Sequence, residues 1–298
     1  MFKNVIVYRI GPGWSAQVAQ MEAVLEPARF VACGASQEQS AGWVEPRGEA
    51  HGALVESVGG QLLLKFMTEA KVLPGPVVNR KAQEQVAHIE ATTGRKPGRK
   101  ETREIKEDVR QALLPMAFTK QSRINVWIDP QASLLLVDAA SQGKADEVVT
   151  ALVKAQDGLS LTLLNTKTSP TAAMSGWLTS QEPPAGFSVD RECELKAADE
   201  SKSVVRYANH ALDIDEVREH IEAGKLPTKL ALTWEGRVSL LLTESLQIKK
   251  IAFLEGVFDG TSQEKEDGFD ADALIATGEL RKLMPDLLLA LGGEEVPG

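Results

Sequence analysis

The chain has 298 residues, which at roughly 150 residues per domain predicts about two domains. Hydrophobic residues make up 43% and charged residues 25%, which excludes a disordered or low-complexity chain. The net charge of −9 excludes a uniformly basic nucleic-acid coat, but residues 65–123 carry thirteen Lys/Arg against seven Asp/Glu, a +6 island in a remainder of −15.

The first ten residues alternate and are β-rich. Val18, Met21, Val24 and Leu25 then recur at helical spacing within Trp14–Leu25, so a strand and a helix are predicted. Gly34–Gly60 reads as glycine-rich, irregular chain, and Gln61–Met67 as a strand ending before Pro74-Gly75-Pro76. From Val78 to Thr93, Val78, Ala82, Val86 and Ile89 mark one face of a helix that Gly94 stops. After a turn at Arg95-Lys96-Pro97-Gly98, a second helix runs to about Leu114, where Pro115 interrupts it. These make an αα-hairpin inserted between stretches of sheet.

Ile124, Val126 and Ile128 alternate, turn at Asp129-Pro130-Gln131 and return through Leu134–Val137 as a β-hairpin. Lys144–Gln156, with Val148, Leu152 and Val153 on one side, is a helix leading to a strand at Leu159–Leu164. Beyond Pro183-Pro184-Ala185-Gly186, Val204–Tyr207 is extended and Asp213–Ala223 is helical, with Gly224 as its stop. Lys229–Trp234 and Arg237–Leu242 flank a turn at Glu235-Gly236, and Asp270–Leu291 is a closing helix. There is no fixed-period repeat. The fold class is α+β, with β-hairpins, mixed sheets and packed helices. Three parts are expected: a central α+β domain of residues 1–76 with 119–182, an inserted basic helical hairpin of residues 77–118, and a C-terminal α+β domain of residues 183–298.

No catalytic residue, metal site or cofactor is expected. His51, His88, His210 and His220 are scattered and stand in no metal-ligand spacing. Gly94–Glu101 resembles a phosphate loop only superficially, because the glycines are too close, no Ser/Thr follows the lysine and no strand precedes it. Asp270-Ala271-Asp272 can offer two carboxylates to a metal, but an aspartate before an apolar helical run is ordinarily an N-cap. The acidic loop Asp259–Asp270 lacks acids at the third and fifth places of a calcium loop. No apolar run approaches the roughly 20 residues of a membrane helix, and no export signal is visible. Cys33 and Cys193 form neither a disulfide framework nor a zinc module, so a reducing, cytoplasmic location is expected.

The informative stretch is Lys96–Arg110. Arg99, Arg103, Lys106 and Arg110 are spaced i, i+4, i+7, i+11 and form one stripe, while Ile105, Val109, Ala112 and Leu113 form an apolar one. A solvated helix braced by its own ion pairs is the plain alternative. Against it, Arg99 with Arg103 and Lys106 with Arg110 are like-charge i, i+4 neighbours, and Lys100–Glu104 and Arg103–Glu107 run in the less favourable order. A row of bases about 5 to 6 Å apart suits a polyphosphate backbone. Arg95, Lys96 and Lys100 add to it, and Lys120 and Arg123 extend it past Phe118. No aromatic residue lies between Lys81 and Arg110, so the stacking platforms of single-strand binders are absent and duplex is favoured.

The sequence resembles the RdgC family of bacterial recombination-associated DNA-binding proteins nearly end to end. The likeness runs through Phe2-Lys3-Asn4, Val7-Tyr8-Arg9, Gly42-Trp43-Val44, Lys71-Val72-Leu73-Pro74, Leu114-Pro115 with Ala117-Phe118, and Trp127-Ile128-Asp129. Its longest parts are His220–Lys225 with Thr228–Leu232, and Phe269–Asp272 with Thr277–Leu280. The resemblance implies a ring-shaped homodimer with a protruding helical finger and a basic hole around duplex DNA. It also implies no enzymatic activity, little sequence preference, association with the nucleoid and restraint of the RecA recombinase. It places Phe118 at the ring-closing dimer contact and Lys225 near the hole, with Lys229 close by in the same stretch. Asn209-His210 departs from a basic pair found in a family member, so no contact is carried over there. The alternative is a protein-interaction module whose basic helix docks on an acidic recombination or replication partner, which direct DNA binding would separate from the first reading. A nuclease or NTPase is disfavoured because neither clustered acids nor a phosphate loop is found.

Overall fold

The computed structural model describes residues 1–255, 257 and 268–295, so most of the acidic loop from Asp259 lies outside the described residues. In chain order the elements are β1 (Val5–Ile10), α1 (Val18–Leu25), β2 (Gln39–Val44), β3 (Glu56–Val58), β4 (Gln61–Lys71), α2 (Gly75–Thr93), α3 (Arg99–Leu113), β5 (Thr119–Asp129) and β6 (Leu134–Asp138). There follow α4 (Gln142–Ala155), β7 (Leu161–Leu163), α5 (Pro170–Ser180), β8 (Phe187–Ala197), β9 (Val204–Ala208), α6 (Asp215–Glu222), β10 (Lys225–Trp234), β11 (Val238–Thr243), β12 (Ile248–Phe253) and α7 (Gly268–Ala290). The described strands share one sheet order, β2-β4-β5-β6-β1-β12-β11-β10-β8-β9, with β3 on β4 and β7 on β1. This is an α+β fold, and the chain divides into two compact units.

The first unit comprises Met1–Val24, Glu45–Leu64 and Asn125–Gly298. Its core is built from alternate strand residues, Val5 and Val7 of β1, Leu134 and Leu136 of β6, and Leu230 and Leu232 of β10, whose period of two sends one set of side chains to one face. Against them packs α7, with Ala273, Ala276, Leu280, Leu283, Met284 and Leu287 at helical spacing and all buried. Ion pairs fix its polar side: Arg237 Nε to Glu279 at 2.7 Å, Arg281 Nε to Asp129 at 3.0 Å and Arg47 Nη2 to Asp270 at 2.5 Å. Asp270 therefore lies in the first turn of α7 and binds Arg47, so it is not the N-cap that its sequence position predicts. At α4, Val148 and Leu152 are buried as expected, but Val153 is exposed because it lies one position beyond the packed row.

The second unit comprises Leu25–Val44 and Lys65–Ile124. The stretch expected to be irregular contains β2, paired residue for residue with Lys65–Ala70 of β4, and Trp43 meets Phe66 edge-on at 5.0 Å. Gly42 makes this possible: a Cβ there would lie 2.5 Å from the Phe30 Cα, and Phe30 donates its N–H to the Trp43 carbonyl.

Candidate nucleic-acid interface

The helical hairpin is set by three local features. Pro74 precedes α2, Gly94 closes it in the left-handed region at φ 68° with its N–H on the Glu90 carbonyl, and Gly98 is the extended residue before α3. The two helices meet along Val78, Ala82, Ile105 and Val109, with Leu73, Val86, Ile89 and Leu113 packed against that seam. Ala112, expected on the apolar stripe, is exposed, and Leu113 carries the seam in the last turn.

That seam leaves the basic stripe facing water. At 100° per residue, Arg99, Arg103, Lys106 and Arg110 fall within about 60° of one another. Lys96, Arg99, Arg103 and Lys106 are exposed and have no ion pair among the described residues. The others differ. Arg95 binds Glu101 at 3.0 Å, and Lys100, 92% exposed, approaches Glu104 at 3.9 Å. Arg110 is committed to Glu38, donating from Nε at 2.6 Å and Nη2 at 3.0 Å, and this guanidinium holds the Glu38 carboxyl below its ordinary range. Sequence alone could not show this brace, because 72 residues separate the partners. Lys120 and Arg123 are exposed at the start of β5, and burial together with the Arg123 charge pushes the Lys65 ammonium down.

Beside the hairpin base, Phe118 is 87% exposed and Met116 74%. The Val72 N–H donates to the Phe118 carbonyl at 2.8 Å, and Val72 is itself a large hydrophobic residue left exposed.

In the first unit, Lys225 and Lys229 lie on β10. Lys225 Nζ is 3.2 Å from His220 Nδ1. Lys229 Nζ lies 3.0 Å from Glu194 on β8, a carboxylate that also accepts from Arg206 Nε at 2.6 Å and Thr228 Oγ1 at 2.9 Å. These donors, Arg206 foremost, hold the Glu194 carboxyl down at about 2. Among the described residues no three His, Cys, Asp or Glu side chains gather as metal-ion ligands, and no helix is long and apolar enough to cross a membrane.

The chain matches, over residues 1–294, the family model described as "Putative exonuclease, RdgC". It is also 44% identical over 297 residues to the recombination-associated protein RdgC of Herminiimonas arsenicoxydans, covering 99% of this chain and 98% of that one. The chain belongs to the RdgC family. Two further RdgC relatives agree: that of Janthinobacterium sp. (strain Marseille) is 45% identical over 98% of both chains, and that of Bordetella pertussis 44% over 99% of both. The RdgC relatives bear a name of association with recombination, whereas the family model's description names a nuclease.

Proposed function

We propose that this RdgC-family chain is a non-enzymatic, sequence-independent binder of duplex DNA. In this reading two copies close into a ring around the duplex, associate with the nucleoid and restrain RecA by occupying its substrate. The observation that carries the reading is the run Lys96, Arg99, Arg103 and Lys106, four exposed bases without ion pairs among the described residues, on a hairpin whose other face is a packed apolar seam. Bases held unneutralised, next to like charges, are unfavourable for the helix itself and favourable for a phosphate backbone, where affinity comes from counterion release. The relatives' name associates them with recombination, a process that acts on duplex DNA, and this supports the reading.

The test is fluorescence anisotropy of a labelled 30-base-pair duplex, about three helical turns, titrated at several salt concentrations beside the matching single strand. The expected result is duplex binding whose logarithm falls linearly with log salt, at about 0.9 per phosphate neutralised. Triple reversal at R99E, R103E and K106E should abolish it while the thermal transition is kept. No duplex binding at low salt would overturn the reading in favour of an acidic protein partner. Release of labelled nucleotides from a duplex end in the presence of magnesium or manganese would favour the nuclease named in the family description instead.

A further inference from the structure

The open face of the β8–β10 sheet carries a charge arrangement that the helical hairpin does not explain. Glu194 on β8 sits directly opposite Arg206 on β9 and opposite Lys229 on β10, in register on both sides. Only 15% of its side chain is exposed, yet Arg206 above it is 73% exposed and Lys229 40%. Among the described residues, Glu194 accepts from the Arg206 Nε and from neither of the two terminal amino groups of the fork. Lys196 follows Glu194 on the same face, since strand side chains repeat every second residue. It is exposed and has no ion pair among the described residues. Two bases thus contact one carboxylate and a third stands beside them on the same face, for a local +2 among these four residues. The neighbouring acid on this face, Glu192, is already neutralised by Lys250 at 2.6 Å.

A cross-strand pair that only stabilised the edge strand β9 would need one base for one acid. Here the acid is sunk between two bases, tied by Thr228 as well, and kept ionised, so it fixes the positions of both cations without cancelling them. Strands lie about 4.8 Å apart, which sets the Arg206 and Lys229 backbones roughly 10 Å from each other across β8.

We propose that Arg206 and Lys196, with Lys229, form a second phosphate-binding patch for duplex DNA, and that Glu194 is its positioning residue. This rests on the duplex-binding reading above and extends it to a surface separate in sequence from the hairpin. The occupant is the DNA backbone, because a +2 patch of long bases whose neighbouring aromatic, Tyr207, is buried offers phosphate contacts and no base stacking.

The experiment compares wild type, R206Q/K196Q and E194Q on the 30-base-pair duplex across a salt series, with thermal unfolding of each. For R206Q/K196Q the expected result is at least about tenfold weaker binding at 0.1 M salt and a log–log slope smaller by about 1.8, corresponding to two contacts. E194Q adds a positive charge overall, so simple electrostatics predicts tighter binding; positioning predicts weaker binding with the fold retained. Wild-type binding with R206Q/K196Q unchanged in affinity and slope would overturn the patch alone, and tighter binding by E194Q would overturn the positioning role. If the wild type binds no duplex, the underlying reading fails instead.

Discussion

Arg103 and Arg110 lie seven residues apart on one stripe of α3, and the structure gives them different work. Arg103 is exposed and unpaired among the described residues, whereas Arg110 holds Glu38 through two hydrogen bonds. R103A should therefore weaken duplex binding by about tenfold at 0.1 M salt, the loss of one contact. R110A should change binding less and lower the melting temperature more; equal effects of both on affinity would show that the brace opens when DNA binds. Glu194 gives a pH prediction. Its folded pKa is depressed from 4.5 to about 2, so the stability it contributes is complete above pH 4.5 and disappears as pH falls towards 2. E194Q should flatten that part of the acid-unfolding curve, and an unchanged curve would mean that Arg206 and Lys229 do not hold the carboxylate in solution. Cys193 behaves in the opposite sense, because burial pushes its thiol up to about 12. A thiol-specific reagent at pH 8 should label at most one of the two cysteines before unfolding and both after it.

The hairpin shows what the sequence makes legible at the level of elements. Its apolar residues repeat at helical spacing, glycines stand at both ends of its turn, and both helices lie where those signals place them. Because the seam is small, each member matters: I105A should cost roughly 2 kcal/mol or more. It should also speed amide exchange in α2 and α3 while α7 keeps its protection, and equal loss in α7 would show that the hairpin does not open on its own. Other strands left weaker traces. β8 alternates charged residues on its open face with bulges against β10, which shift the two-residue period that would announce it. In β12, Lys250 has positive φ and the pairing with β11 slips, so Ile248 and Ile251 fall out of strict alternation. β2 is hidden by Gly42, a residue that weakens strand propensity and is present because the Phe30 backbone passes against it. The same limit applies to the candidate interface. Local spacing reveals a stripe of bases, but which of them are free depends on partners such as Glu38 that only folding brings near.

For the whole molecule the governing fact is charge contrast, a +6 stretch at residues 65–123 within a remainder of −15. An open surface on such a protein would hold DNA weakly, because acids outside the basic island repel the duplex. Closure around the duplex removes that difficulty, since a ring resists dissociation topologically and needs few strong contacts. In the proposed dimer the closing contact is made by Phe118, with Met116 and Val72 as further exposed apolar side chains that the core of their own chain does not bury. F118S should leave the monomer's fold and melting behaviour intact, because an 87% exposed ring contributes little to internal packing. It should shift the sedimenting species from dimer to monomer. It should also abolish the retention of protein on closed circular DNA at salt concentrations where linear DNA of the same length releases it from the ends. A variant that still sediments as a dimer would remove Phe118 from the interface, and equal release of the wild type from circles and linear molecules would exclude encirclement while leaving backbone binding in place.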